Sequence, residues 1–166
     1  APLLFNLAEL QSECSKLFKI GPDKTLEIAQ SLYEKKLTTY PRTDARVLTT
    51  AMAGEVDKNI KGLTGYSTVS SFASAILDNH WYKGIAKTKY IDDSKVTDHY
   101  AIIPTGDTSA LSSLKTEEAN VYELIVKRFL SIFYPPAVYE QVCIEMVAGT
   151  EHFFTSDKVL SEKVFM

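Results

Sequence analysis

The sequence predicts a mainly α-helical protein with a small β annex, which is an α+β fold. Apolar residues recur at intervals of three and four in five segments before Tyr134, and this is the spacing of amphipathic helices. After Pro135-Pro136 the apolar residues alternate with other residues instead, as they do in strands. We therefore expect a mainly helical domain over residues 1–135 and a partial β domain over residues 136–166.

The first two helices are marked by their boundary residues. Asn6 and Glu9 have the spacing of a capping box, and Gly21-Pro22 should end the helix that they open. The second helix should begin near Asp23 and fray near Lys36. The apolar stripes are Leu7, Leu10, Cys14, Leu17 and Phe18 in the first helix, and Leu26, Ala29 and Tyr33 in the second.

Three further helices are expected. Thr43 and Asp44 are preferred N-cap types, so a third helix should follow Asp44. After a loop over residues 62–66, a fourth helix should end at Asn79, and the most regular helix opens at Thr116. The apolar stripe of the third helix is Leu48, Met52, Val56 and Ile60, and that of the fourth is Val69, Phe72, Ile76 and Leu77. The stripe of the helix that opens at Thr116 is Val121, Leu124, Ile125, Phe129, Ile132 and Phe133.

The remaining segments predict loops and a hairpin. Residues 80–107 have no sustained helical period and contain glycine and proline, so we expect loops with short extended pieces near residues 89–91 and 101–103. Near the C-terminus, Gly149 separates an alternating strand from a return strand through Phe153. Two strands alone leave open edges, so this annex should belong to a larger sheet.

Composition excludes several classes of protein. No stretch is long enough for a membrane span, and the first residues lack the basic region of a signal peptide, so we expect a cytoplasmic protein. Cys14 and Cys143 form no metal-binding pair and are expected to be reduced and buried. The net charge of −3 argues against nucleic acid as a partner, but residues 14–46 carry a local excess of lysine and arginine.

Tyr40 stands out because its neighbours favour an anion. Pro41 disfavours a helical conformation at Tyr40, and alternation in an extended segment puts Arg42 on the same face as the phenol. A following helix start at Thr43 and Asp44 would add free backbone N–H groups. A tyrosine ordinarily loses its proton near a pH of about 10, so attack on a phosphodiester needs such cations. The alternative is an ordinary Tyr-Pro turn with an exposed ring.

Two other segments contain candidate binding residues. His99, within residues 96–105, could donate a hydrogen bond to a phosphate or move a proton, although a loop histidine with a satisfied hydrogen bond is the alternative. Trp81, Lys83, Lys87 and Lys89 interleave aromatic and basic side chains, a pattern that suits single-stranded nucleic acid. The alternative is a core tryptophan among solvated lysines.

Taken together, these motifs resemble those of type IA DNA topoisomerases, especially the topoisomerase III branch. The resemblance is carried by Tyr-Pro-Arg-Thr-Asp at residues 40–44 and by Thr-Asp-His-Tyr-Ala-Ile-Ile-Pro-Thr at residues 97–105, in the order of the family. The helix over residues 116–133 is also similar. The sequence does not begin with Met, and the resemblance covers part of the family's architecture, so we expect a piece of a longer protein.

The resemblance implies a set of roles. Tyr40 would attack one DNA strand and become joined to its 5′ phosphate, allowing strand passage and religation without ATP. Arg42 would stabilise the scissile phosphate, while His99, Arg46 and Thr43 would bind DNA phosphate. Tyr100 stands where many members have a second histidine, so no role is transferred to it.

The resemblance also implies partners and a location. The partners would be single-stranded DNA, the Toprim domain and the remaining domains of the parent protein, with no membrane and with nucleoid association. Mg²⁺ would be bound by the Toprim domain, no metal by this chain, and the isolated chain would be inactive. The helical part would be the tyrosine-bearing domain, and the strands would come from the neighbouring arch.

Two other functions remain open. A non-catalytic module could use the same motifs to bind the phosphates of single-stranded DNA. A helical interaction domain with no nucleic-acid role is the alternative from a different class of protein.

Overall fold

The computed structural model describes residues 1–160, which form six α-helices and a β-hairpin. This confirms the expected α+β class. The chain divides into two compact units, the first being Ala1–Phe133 and the second beginning at Tyr134. The helices are α1 (Leu7–Phe18), α2 (Pro22–Glu34), α3 (Thr50–Ala53), α4 (Val56–Leu63), α5 (Ser70–Asp78) and α6 (Thr116–Ser131), and the strands are β1 (Tyr139–Ala148) and β2 (Glu151–Leu160).

α1 and α2 begin as their sequences indicate, but their buried faces differ from the predicted stripes. The Asn6 side chain accepts a hydrogen bond of 2.9 Å from the amide of Glu9, which caps α1. Leu17 is 57% exposed and Tyr33 is 40% exposed, so both predicted stripe residues lie outside the core. The buried residues are Leu10 and Cys14 in α1 and Thr25, Ile28, Ala29 and Leu32 in α2.

The prediction that a helix starts directly after Asp44 is wrong, and the predicted stripe residues Met52, Val56 and Ile60 lie in two shorter helices, α3 and α4. Residues 43–48 are irregular and pair with two distant segments: the Leu7 amide donates to the Thr43 carbonyl and the Leu48 amide donates to the Tyr90 carbonyl. The next helix starts only at Thr50, where the Thr49 hydroxyl caps the amide of Met52. Tertiary hydrogen bonds therefore override the local helical pattern, and the predicted helix N-terminus beside Tyr40 is absent.

α6 packs on α2 and forms one wall of the core of the first unit. It buries Tyr122, which the predicted stripe omitted, while Leu124 is only half-buried. Glu118 at its start is buried and contacts Ser31 of α2 and Lys35, the residue that follows α2. The fully buried face of α6 consists of Val121, Tyr122, Ile125, Val126, Phe129 and Leu130.

Short extended pieces connect the irregular segments of this unit. Isolated β-bridges join Phe5 to Ile102, Leu48 to Ile91, and Thr38 to Pro104. These bridges include the extended pieces that we expected near residues 89–91 and 101–103. They bring the segment before Tyr40 and the segment after His99 into register.

In the second unit, β1 and β2 pair in antiparallel register from Tyr139 opposite Leu160 to Ala148 opposite Glu151. Gly149 adopts a positive φ of 66° in the turn between them. Cys143 is exposed, which corrects the expectation that both cysteines are buried; Cys14 is buried. Membership of a larger sheet stays a prediction. Within residues 1–160 we find no helix with the length and apolar character needed to span a membrane.

Candidate active site

Tyr40 lies on backbone that is fixed by hydrogen bonds to the second motif segment. The Thr39 amide donates to the carbonyl of Ile103 at 3.0 Å. The Thr39 hydroxyl donates to the Ala101 carbonyl at 3.0 Å and accepts from the Ile103 amide at 3.0 Å. The residue before Tyr40 is therefore held on both its backbone and its side chain, and the position of the phenol is set by residues more than sixty positions away.

The Tyr40 ring packs between two other rings. Its centroid lies 4.4 Å from that of His99, at an interplanar angle of 41°. Tyr33, at the end of α2, meets it edge-on at 5.3 Å. Tyr40 is half-buried by these contacts.

These three rings line an open groove of about 550 Å³. Its size falls in the range of sites that bind small molecules or segments of a chain. The lining also contains one lysine, Lys36, and two carboxylates, Glu34 and Asp98. The residues that line the groove are Tyr33, Glu34, Lys36, Thr38, Thr39, Tyr40, Asp98, His99, Tyr100 and Thr105.

Thr43 joins the two motif segments through its side chain. Its hydroxyl donates to the backbone carbonyl of His99 at 2.8 Å and accepts from the amide of Ala45 at 3.1 Å. Thr43 is 8% exposed, and its hydroxyl is used inside the protein. The hydroxyl thus holds the backbone at His99, and the expected contact of Thr43 with DNA phosphate stays a prediction.

The two predicted arginines have different surroundings, and neither lines the groove. Arg42 is exposed and forms no hydrogen bond or ion pair with any residue of the range 1–160, so its guanidinium is available to a ligand. Arg46 donates from Nε to the Leu4 carbonyl at 3.1 Å and lies 3.7 Å from the carboxylate of Glu9. Arg46 thus anchors the N-terminal segment, and its predicted phosphate contact would have to compete with these bonds.

The predicted single-strand contacts lie outside the groove that contains Tyr40. Lys83, Lys87 and Lys89 are exposed, and Trp81 is partly buried. Lys83 lines a second depression of about 440 Å³ together with Tyr82 and residues of α3. These four side chains do not line the groove that contains Tyr40.

In the part of the chain that the structure describes, no group of three or more His, Cys, Asp or Glu side chains could hold a metal ion. Asp92 accepts hydrogen bonds from Ser94 and Asp93 accepts them from Thr50, and these bonds lower the pKa of both carboxyl groups. Asp92 is therefore engaged in a local turn, and Asp93 is bonded to Thr50, the first residue of α3.

Sequence reasoning missed Tyr33 and Lys36 as residues of the site. Tyr33 was assigned to the apolar stripe of α2, although an aromatic residue at a helix end, seven positions before Tyr40, could have been recognised as a neighbour. Lys36 was interpreted as the point where α2 frays and as one of the cations of residues 14–46. Its positive φ of 62° has no signal in the sequence.

Comparisons with known proteins give consistent matches. A family model described as DNA topoisomerase matches residues 1–166. DNA topoisomerase 3 of a Bacillus cereus strain is 38% identical over 162 residues, which is 96% of this chain and 22% of the relative. DNA topoisomerase 3 of Bacillus subtilis strain 168 is 37% identical over 165 residues, which is 98% of this chain and 22% of the relative. The chain thus spans about a fifth of the length of these relatives.

A solved structure shares the fold. Full-length topoisomerase I from Thermotoga maritima superimposes with a TM-score of 0.57 at 23% sequence identity. The match covers 96% of this chain and 26% of that chain.

Proposed function

The chain belongs to the type IA DNA topoisomerase family, and from this membership we propose that Tyr40 is the nucleophile that cleaves one strand of DNA. The observation that carries the proposal is the contact between the Tyr40 and His99 rings, 4.4 Å apart in one groove. It joins the two motifs that resemble the family's signatures. The fixed backbone at Thr39 supports a precisely held phenol.

The proposed reaction is a reversible transesterification. The Tyr40 oxygen attacks the phosphorus, a bond forms to the 5′ phosphate, and the bond between phosphorus and the 3′ oxygen breaks. The phenol loses its proton and the leaving 3′ oxygen gains one. Because the phosphotyrosine replaces one phosphodiester by another, the 3′ hydroxyl can reverse the attack after strand passage without ATP.

Two side chains would assist at the phosphate. His99 touches the Tyr40 ring and would donate a hydrogen bond to a phosphate oxygen. Arg42 is exposed two residues beyond the phenol, and its free guanidinium would stabilise the charge of the five-coordinate transition state. Preorganised donors of this kind are worth about a hundredfold or more in rate.

The substrate would be single-stranded DNA. The aromatic lining of the groove offers ring faces on which bases can stack, and Trp81, Lys83, Lys87 and Lys89 would contact the strand elsewhere. We propose that Mg²⁺ binds outside residues 1–160, in a Toprim domain, and that this chain alone does not cleave DNA. The location would be cytoplasmic and associated with the nucleoid.

Substitution Y40F in the full-length protein tests the proposal, with Y33F as the matched control. Both variants remove one phenolic oxygen from the same groove. We expect Y40F to abolish the covalent complex with a 5′ phosphate and the relaxation of supercoiled DNA, and Y33F to keep both. Unchanged relaxation by Y40F would exclude the catalytic role. If wild type binds single-stranded DNA but forms no covalent complex, the alternative of a non-catalytic binding module is correct.

A further inference from the structure

Lys36 is the lysine that lines the groove of Tyr40 and His99, and it has an unusual backbone conformation. Its φ of 62° lies in the left-handed region that favours glycine. The Leu37 amide donates to the Leu32 carbonyl and the Lys36 amide donates to the Tyr33 carbonyl, which is the Schellman pattern of a helix C-terminus. Glycine is the usual residue at this position, so a lysine here is unfavourable for the backbone.

The second motif segment holds Lys36 in place. The hydroxyl of Thr105 donates to the Lys36 carbonyl at 2.6 Å, and the Thr105 amide donates to the carbonyl of Leu37. Residues 97–105 therefore position both His99 and Lys36. The lysine is connected to the same scaffold that fixes Tyr40.

The ammonium group of Lys36 is unpaired in the described part of the chain. Glu34 and Asp98 line the same groove, and Asp107 is close enough to feel its charge, but none of these carboxylates forms an ion pair with it. Lys19, the other lysine with a positive φ, behaves differently: its Nζ donates to the carbonyl of Lys16 and caps α1. The Nζ of Lys36 donates to no carbonyl of α2, so capping of the helix does not explain the lysine side chain.

We propose that Lys36 is a positioning residue that binds a backbone phosphate of the DNA strand lying in the groove. The inference rests on the proposed function, because it takes a nucleic-acid strand as the occupant. A flexible stem with three rotatable donors suits a phosphate whose exact position varies along a strand. The contact would act on binding and register of the strand, while Tyr40 performs the chemistry.

The test compares K36G with K19G in the full-length protein. Both variants remove one exposed lysine from a left-handed position where glycine is favoured, so both should fold and K36G should melt at or above the temperature of wild type. Binding of a labelled single-stranded oligonucleotide is measured over a range of salt concentrations. We expect K36G to lose affinity about three- to tenfold and its slope of log K against log salt to fall by about 0.7, the value for one phosphate contact.

The control variants decide the interpretation. K19G should bind like wild type, and K36R, which keeps the charge, should restore most of the affinity and slope. If K36G matches K19G, or if K36R is as weak as K36G, the phosphate contact is excluded. Y40F tests the proposed function independently of Lys36. If Y40F loses the covalent complex, the proposed function is supported even when K36G binds single-stranded DNA like wild type. Conversely, weaker binding of single-stranded DNA by K36G would support the Lys36 contact whether or not Y40F relaxes DNA.

Discussion

At the scale of single residues, the site depends on hydroxyl groups that connect distant segments. Thr43 bonds to the carbonyl of His99, which lies 56 residues further along the chain. The Thr39 hydroxyl donates to the Ala101 carbonyl and accepts from the Ile103 amide. The rings of Tyr40 and His99 can therefore keep their 4.4 Å contact without a regular helix or strand beneath them.

Replacing Thr43 by valine should test this connection. T43V keeps the volume of the side chain but removes the donor to the His99 carbonyl, so the free energy of unfolding should fall by about 1–3 kcal/mol. Covalent complex formation in the full-length protein should fall as well, because His99 loses its anchor. T43S, which keeps the hydroxyl, serves as the control in denaturant unfolding and cleavage assays. Equal behaviour of T43V and T43S would contradict the positioning role.

Tyr122 presents the opposite case, a buried hydroxyl without a partner. Its side chain is fully buried, burial raises its pKa, and its oxygen has no hydrogen-bond partner among residues 1–160. Removing that oxygen in Y122F should leave the melting temperature unchanged or raise it, since an unsatisfied buried group is costly. Tyr90, whose hydroxyl donates to the Ala1 carbonyl at 2.7 Å, is the control, and Y90F should lose about 1 kcal/mol. A clear loss of stability in Y122F would reveal an unrecognised partner.

The residues of the site were predictable to different degrees. Tyr40 and His99 could be chosen because Pro41 and the motif order leave a sequence signal. Thr43 carried a signal, but its burial and its bond to His99 depend on a tertiary contact that local spacing does not encode. Lys36 was missed because its left-handed backbone is imposed by the end of α2. The proposed roles in catalysis stay predictions.

At the scale of elements, α2 and α6 are joined by a buried carboxylate. Desolvation of Glu118 opposes its ionisation, but hydrogen bonds from Ser31, the Lys115 amide and Lys35 outweigh this and lower its pKa to about 2. Glu118 is 8% exposed, and its two oxygens accept bonds of 2.7–3.2 Å. The contact between α2 and α6 is therefore an acid-sensitive link, because it depends on the ionised carboxylate of Glu118.

The pH dependence of this link follows from the direction of the shift. The pKa of Glu118 is lower in the folded protein than its ordinary value of 4.5. Its contribution to stability is therefore complete above about pH 4.5 and is lost as the pH falls towards about 2. E118Q should unfold more easily at pH 7 by about 1–3 kcal/mol and should lose part of the wild-type pH dependence in that window. Chemical denaturation at a series of pH values measures both the loss of stability at pH 7 and the loss of pH dependence. E117Q, which changes an exposed neighbour, is the control. Parallel curves for wild type and E118Q would refute the link.

α4 meets the turn at Gly106 by direct backbone contact. A Cβ placed on Gly62 would lie 2.2 Å from the Gly106 carbonyl oxygen, and Gly106 itself needs a positive φ of 92°. G62A should therefore destabilise the protein by roughly 1–3 kcal/mol through overpacking. G54A is the matched control, because its nearest atom is 3.5 Å away, and it should be neutral or slightly stabilising. Thermal unfolding distinguishes the two, and an unaffected G62A would mean that the turn can move.

The sequence predicted most helices but failed between residues 43 and 49. Elsewhere, capping residues such as Asn6 and the long apolar period of α6 act locally, so local reasoning was sufficient. The segment after Asp44 has helical spacing, yet its backbone groups pair with the N-terminal segment and with Tyr90. Such pairing involves residues far apart in sequence, and single-sequence periodicity cannot detect it.

At the scale of the whole molecule, the two compact units differ in how they bury apolar surface. The first unit, Ala1–Phe133, has a core that includes Phe5, Leu32 and Phe129, all fully buried. In the hairpin, apolar side chains are exposed along both strands, and two-stranded hairpins are marginal by themselves in water. The exposed apolar residues are Val142, Ile144, Met146, Val147, Phe153 and Phe154.

This difference predicts separate behaviour on truncation. A chain that ends at Phe133 retains the whole core of the first unit, so it should fold cooperatively and melt within a few degrees of residues 1–166. The longer chain should self-associate, because open strand edges and exposed apolar side chains promote pairing between copies. Sedimentation measures the association, and calorimetry measures the transition.

A double substitution in the hairpin provides the control. I144K together with F154K places charges on two exposed positions, one on each strand, and should reduce the self-association of residues 1–166 without shifting the melting transition of the first unit. The charges act by repelling copies and by shrinking the apolar surface, so the effect should weaken at high salt. Failure of residues 1–133 to fold would show that the first unit depends on the hairpin. Undiminished association of the lysine variant would show that the copies meet through another surface.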